Sequence, residues 1–244
     1  MNLKVLTYNV FGMPWGLCSI DSVLLWCLYK TDAEILCFQE VFSEEHTRRI
    51  QEICSQEDSQ WNCWFPTAEP SCLSRWFRSF HSPSGLCILT KKTIKILSEP
   101  YFEPFEKVSN VDTLVRKGFF HLHCEKENQQ FHVLTVHFQS DFTEFKCCRI
   151  QHQDIRIQQE IQVFRYAKNL KQAIVVGDFN TCRFYHFFFV NSNREQTFHQ
   201  TGESLDHCLT LHPKSIQSEN VTYFHDVNLS DHIPILFHLR FLET

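Results

Sequence analysis

Ala173-Ile174-Val175-Val176-Gly177-Asp178-Phe179-Asn180 is the stretch on which the reading of this chain turns. An apolar run of four that stops at glycine fits a buried strand. Asp-x-Asn directly behind it puts two polar side chains at a sheet edge, where chemistry commonly sits. Alone, the tetrad 177–180 is equally well explained by a turn. Three other runs carry polar groups in the same way. Thr7-Tyr8-Asn9 closes the first strand, Phe38-Gln39-Glu40 ends an early second one, and Ser230-Asp231-His232 opens the last. All four bring side chains used for divalent metals or proton transfer.

Between these points the pattern alternates strand and helix. Residues 3–10 alternate as a strand, Ile20 to Leu28 have helical spacing, and Ile35-Leu36-Cys37-Phe38 is a second strand. Ser43 is placed to cap a helix that begins with Glu44-Glu45. Residues 60–84 read as irregular and aromatic. Strands follow at Leu86–Thr90, Thr93–Leu97, Gly118–Cys124 and Phe131–His137. A helix is expected over 147–168, with Ile150, Ile157, Ile161 and Phe164 on its buried stripe. Further strands fall at 173–177, 205–210 and 232–240. This order implies two mixed sheets packed face to face with helices outside, an α/β sandwich forming one domain over 1–244.

The 244 residues suffice for one large core. A net charge of −5 lacks the basic excess that grips a nucleic-acid backbone, so nucleic acid is the less favoured partner. The 12 cysteines contain no Cys-x-x-Cys pair, and Cys147-Cys148 are adjacent. That argues for a reduced, cytosol-like compartment and against zinc or a disulfide framework. The N-terminus enters a strand without a signal-peptide core, and no run approaches the ~20 apolar residues of a membrane span. A soluble monomer is expected.

Phosphodiester hydrolysis needs a metal on the phosphoryl oxygens, a base for water and donors for the developing charge. Magnesium takes hard oxygens and few carboxylates. Glu40 supplies a carboxylate and Asn9 a neutral oxygen. His232 is the candidate base; Asp231 would orient it if the backbone bends between them. His137, at a strand end, could donate to a phosphoryl oxygen. Asp178 would position the water and Asn180 bind the phosphoryl group. Asp206, in Ser204-Leu205-Asp206-His207, is a further candidate on the substrate side.

Thr7-Tyr8-Asn9-Val10, Phe38-Gln39-Glu40-Val41, Val136-His137-Phe138-Gln139, Gly177-Asp178-Phe179-Asn180, Leu205-Asp206-His207 and Ser230-Asp231-His232 together resemble the endonuclease/exonuclease/phosphatase superfamily, in its order and over residues 3–239. The resemblance implies a four-layer α/β sandwich and magnesium-dependent phosphoester cleavage, with Mn2+ or Co2+ as substitutes. It implies Asn9 and Glu40 on the metal, His137 and Asn180 on the phosphate, Asp178 on the water, and His232 with Asp231 in acid–base work. Within that superfamily, Asn9-Val10-Phe11-Gly12-Met13-Pro14, Glu40-Val41-Phe42, Ser84-Gly85 and Lys117-Gly118-Phe119 resemble the neutral sphingomyelinases. That likeness implies a choline phospholipid substrate, Lys117 on its phosphate, and Asp112 as the partner of Lys117. A DNase-like or abasic-site nuclease, a phosphoinositide phosphatase and a catalytically idle binding module are the alternatives. Aromatic segments at 61–80 (with Arg75 and Arg78) and 184–189, and Tyr223-Phe224, are the expected contacts with a membrane surface.

Overall fold

The computed structural model describes residues 1–11, 19–67, 84–141, 149–184, 189–190, 195–211 and 214–242. In chain order the first elements are β1 (Asn2–Asn9), α1 (Ile20–Lys30), β2 (Ile35–Gln39), α2 (Glu44–Ser55), β3 (Trp61–Trp64) and β4 (Cys87–Lys91). Next come β5 (Lys95–Ile96), β6 (Tyr101–Pro104), a 3-10 turn (Asn110–Leu114), β7 (Gly118–Lys126), β8 (Gln129–His137) and α3 (Arg149–Ala167). The chain finishes with β9 (Ala173–Asp178), β10 (Phe189–Val190), β11 (Asp206–Thr210), β12 (Ile216–Tyr223) and β13 (Ile235–Phe241).

The strands form two mixed sheets, ordered β12-β13-β1-β2-β4-β3 and β10-β11-β9-β8-β7-β5, with β6 also paired to β7. Each sheet has one parallel pair near its middle, β1 with β2 and β8 with β9. Parallel partners end at the same edge. Asn9 therefore stands opposite Gln39, and His137 opposite Asp178. The inner faces meet through Val5, Ile35, Cys37, Leu122, Val133 and Val176, all buried in one cluster. Fully burying such a side chain contributes roughly 1.5–3 kcal/mol. Outside the first sheet lie α1 and α2, which place Val23, Leu24 and Ile50 against Leu6, Tyr8 and Leu36. Outside the second lies α3, with Val163 and Ala167 against Leu134 and Val175. This is the four-layer α/β sandwich.

Local chemistry explains most boundaries. Ser43 caps α2 by accepting the His46 N–H at 3.1 Å, and Glu44 and Glu45 sit in the first turn, where the helix dipole favours acids. Several boundaries differ from the sequence expectation. Residues 61–64, read as irregular, form edge strand β3 on β4. The short strand β6 and the largely half-exposed β12 carry no long apolar run to announce them, and the two-residue β10 begins inside the segment read as an aromatic loop. The last strand begins at Ile235, so Ser230-Asp231-His232 precedes it. The stripe of α3 is also shifted: His152, Arg156, Gln159 and Glu160 are buried, while Ile157 and Ile161 are half-buried. Polar groups face inward there because they bond loop backbone near the strand ends; Gln159 accepts the Gln139 N–H at 2.8 Å and donates to Lys107 O at 2.8 Å. Among the described residues no helix is long and apolar enough to cross a membrane.

Gly177 sets how closely β8 and β9 approach. Its φ is +147°, and a Cβ there would lie 2.2 Å from Val136 O. Neither the backbone conformation nor the space admits a side chain. Gly177→Ala should lower stability by about 2 kcal/mol or more in urea unfolding; an unchanged midpoint would contradict this packing.

Candidate active site

Because both parallel pairs end at one side of the sandwich, Asn9 and Glu40 come from the first sheet to meet His137 and Asp178 from the second. The Asn9 amide joins them: Nδ2 donates to Glu40 Oε1 at 3.1 Å and to Asp178 Oδ2 at 3.0 Å. Beneath, the buried Gln39 donates from Nε2 to Thr7 Oγ1 at 3.2 Å and, across the sheets, to Thr135 Oγ1 at 3.1 Å. Three site residues hold left-handed backbone, Phe11 (φ 44°), Glu40 (φ 63°) and Asn180 (φ 50°). Such conformations cost about 1–3 kcal/mol each and persist where surroundings over-determine them. Gly85 supports one of them: its carbonyl accepts the Val41 N–H at 2.9 Å, and a Cβ on it would strike the Phe42 ring at 2.5 Å.

Asn9 differs from expectation. Its Oδ1 accepts the Phe11 N–H at 3.1 Å, so nitrogen and not oxygen faces the carboxylates. Two acids at close quarters need a donor, and the amide supplies it. Asp178 also accepts the Asn180 N–H through Oδ1 at 2.8 Å, and Asn180 Nδ2 donates to Phe138 O at 3.1 Å. Burial pushes the Glu40 carboxyl up to about 7, against the pull of Asn9 and Lys117. Burial likewise raises Asp178, opposed by the charge of His232.

His232 is the positive counterpart. Its Nδ1 meets Asp206 Oδ2 at 2.8 Å, and its Nε2 lies 3.8 Å from Asp178 Oδ2. Burial opposes its charged form, but Asp206 and Asp178 overcome that and hold its pKa up to about 10. Two expectations change here. Asp206, not Asp231, orients the ring, because Asp231 lies on the rim, where it accepts from Gln200 Nε2 at 3.4 Å. The neighbouring carboxylates also favour the charged imidazole, a proton donor where a neutral base was expected. Ser230 hooks the segment onto the first sheet, donating to Asn9 O at 2.7 Å and accepting the His232 N–H at 3.3 Å.

Lys117 and Asp112 pair at 3.0 Å, both buried. Lys117 Nζ also donates to Phe138 O at 2.9 Å and lies 3.0 Å from His137 Nε2. An ammonium has only hydrogens to offer, so His137 Nε2 accepts and cannot at once donate to a phosphoryl oxygen. Burial, then Lys117 and His232, hold His137 well below its ordinary pKa. With three protein partners, Lys117 is a fixed post at the edge of the site and not the free phosphate contact expected.

Above this floor opens a cavity of about 960 Å3. One wall comes from the 3-10 turn and the start of α3, where Arg156 makes a bidentate pair with Asp141 at 2.9 and 3.1 Å. Phe11, Phe42 and Phe198 add aromatic surface. Gln39, Ser230 and the Arg156–Asp141 pair escaped the sequence reading as functional parts. The first two lay inside quoted motifs, and a buried Gln between strand-end acids was the available signal.

Several aromatics expected at a membrane pack inward. Trp61 is buried, Trp64 Nε1 donates to Thr90 Oγ1 at 3.1 Å, and Phe184 packs edge-on against Phe179. Tyr223 ends β12 against the core, and Phe224 meets Trp26 edge-on at 4.8 Å. The Gly12-Met13-Pro14 segment, Arg75, Trp76, Phe77, Arg78, Phe80, Cys147-Cys148 and 185–188 lie outside the described residues.

Asp178, Asp206 and His232 bring ligand atoms within 4.8 Å of one another and form one candidate cation site. The short His232–Asp206 bond and the charge on the ring favour proton transfer there. Hard oxygens at Glu40 and Asp178 fit a divalent cation better.

Asp206→Asn should bring the His232 titration down from about 10 toward its ordinary value, read from its ring proton by NMR. Asp231→Asn should move it less, and the reverse order would restore the expected role of Asp231. The raised value carries a stability consequence of definite sign. Its contribution is complete below the unfolded pKa of ~6.5 and is lost as pH rises through about 10. Asp206→Asn should flatten that alkaline decline in urea midpoints.

No family model matches the chain. A curated relative, sphingomyelinase C 2 of Leptospira interrogans, is 23% identical over 207 residues, covering 75% of this chain. The match spans 31% of that relative's length. Among solved structures, beta toxin from Staphylococcus aureus with bound magnesium ions is similar at a TM-score of 0.69 and 18% identity, over 98% of this chain and 99% of that one. An endonuclease/exonuclease/phosphatase from Bacteroides vulgatus is similar at a TM-score of 0.71 and 13% identity, over 99% and 100%. The fold of this chain is the DNase I-like sandwich of endonuclease/exonuclease/phosphatase proteins, close to that of sphingomyelinases.

Proposed function

We propose that the protein is a magnesium-dependent phosphodiesterase that hydrolyses sphingomyelin, or a related choline phospholipid, to ceramide and phosphocholine. The observation that carries this reading is the joining of two carboxylates, half-buried Glu40 and buried Asp178, to an imidazolium held by Asp206 at the floor of one cavity. A magnesium ion held by Glu40, with Asp178 beside it, would neutralise charge on the phosphoryl oxygens; Mn2+ and Co2+ suit the same oxygens. Asp178, a carboxylate made more basic by burial, orients the attacking water and accepts its proton. His232 gives its Nε2 proton to the departing alkoxide, while Asp206 keeps the ring in place. Asn180 lines the cavity beside Asp178 and offers an amide to the phosphoryl group.

The cavity walls support the choice of headgroup. Asp112 is neutralised by Lys117 and Asp141 by Arg156. Apart from the floor groups Glu40, Asp178, His137 and His232, the described lining then holds the acids Asp154, Glu203 and Asp231 and the cation Arg183. An acid-rich rim with Phe11, Phe42 and Phe198 suits a quaternary ammonium. It disfavours polyphosphates and nucleic acid, which need clustered cations. The name of the curated relative points the same way.

Incubation with sphingomyelin vesicles and magnesium should release phosphocholine. His232→Ala should reduce release by about 10²–10⁴-fold. No release above the His232→Ala background would sink the lipid reading, and nicking of plasmid DNA at physiological salt would favour a nuclease. Because the Glu40 carboxyl titrates near 7, magnesium affinity by calorimetry should rise with pH through about 7 and lose that dependence in Glu40→Gln. A flat profile in the wild type would remove Glu40 from the metal.

A further inference from the structure

The outer face of β7 and β8 carries a histidine cluster that the proposed reaction does not use. Along β7 the inner positions Phe120, Leu122 and Cys124 enter the inter-sheet core, so His121 and His123 share the opposite face with Phe119. His123 pairs across the strands with His132 on β8. His121 Nε2 and His132 Nδ1 face each other at 2.9 Å, and the His123 ring stacks on His132 at 4.3 Å with an 18° tilt. Tyr166 of α3 places its hydroxyl 2.9 Å from His121 Nδ1. His121 is buried, and His123 and His132 are half-buried, so the cluster opens to solvent on one side.

We propose that His121 and His132, with His123 beside them, bind one transition-metal ion of the class that prefers imidazole, Zn2+, Ni2+ or Cu2+, at a site separate from the active site. Zn–N bonds of ~2.0–2.1 Å at a tetrahedral angle place two ligand nitrogens about 3.3 Å apart, so the observed pair need open only slightly. The Tyr166 hydroxyl accepts from His121 Nδ1–H, which leaves Nε2 with its lone pair; this is how metal-bound histidines are commonly held. The proton between the two rings belongs to His132 Nδ1 and moves to its Nε2 as the metal binds. Two lone pairs then form two coordinate bonds, and both rings stay neutral without net proton loss. Burial already favours that neutral form, holding His121 at about 3 and His132 at about 4. Water completes the shell beside the two imidazoles. Magnesium, which prefers oxygen, is not a competitor. His121 lies four residues beyond Lys117, which directly precedes β7, about 13 Å at the usual strand rise.

The test is a Zn2+ titration of the chelator-treated full chain against a chromophoric competitor, with magnesium in excess. Wild type and Glu40→Gln should each bind one equivalent. His132→Gln should lose at least about tenfold in affinity, as should Tyr166→Phe if the first variant fails to fold. Cu2+ in place of Zn2+ should show imidazole nitrogen couplings by electron paramagnetic resonance. Absence of Zn2+ binding to the wild type, unchanged affinity in the folded variant, or loss in Glu40→Gln would each overturn the proposal.

Discussion

The Asn9 amide, bonded at once to Glu40 and Asp178, is the interaction on which the site depends. Asn9 and Glu40 end strands of one sheet; Asp178 ends a strand of the other. One short side chain therefore fixes the distance between two layers at the point where they carry charge. Gln39 repeats the tie one layer down, from Thr7 to Thr135. Buried polar groups of this kind are tolerated because each is satisfied, and satisfied networks restrict a core to one register. The left-handed backbone at Phe11 and Asn180 is held by N–H bonds to Asn9 Oδ1 and Asp178 Oδ1.

Electrostatics follow from that closeness. Glu40 and Asp178 are driven up by burial, His137 is driven down, and His232 is driven up by Asp206 and Asp178 despite burial. The site thus holds a charged ring beside carboxyls with raised affinity for protons. A carboxyl whose pKa is raised toward neutrality, as at Asp178, is suited to accept a proton from water. Lys117 and Asp112 close the arrangement as a buried pair whose remaining donors bond Phe138 and His137.

Much of this was legible in the residue order. Apolar patterns ending in polar side chains, alternating in β1 and nearly continuous in β2 and β9, gave away these strands together with β8. The Ser43 cap follows from local chemistry. By contrast, β6, β10 and β12 are short or half-exposed, and periodicity is silent for them. The polar buried face of α3 was read one stripe off, since Arg156 and Gln159 look solvent-seeking until a strand-end backbone offers them partners.

Sequence alone determined that Asn9, Gln39, His137 and Asp178 stand at strand ends, because the strand period and the apolar runs are properties of the chain itself. It also determined the layered fold class, because two kinds of strand and three helices have few ways to cover their apolar faces. Which carboxylate meets His232 was decided by tertiary structure. Asp231 is its neighbour in the chain, yet Asp206, 26 residues earlier, reaches Nδ1. Adjacent side chains along extended backbone diverge, whereas β11 pairs with β9 and carries Asp206 to the edge where Asp178 ends. Folding likewise turned Asn9 into a donor and Lys117 into a buried post, since a side chain's role is set by the partners that packing places within bonding distance.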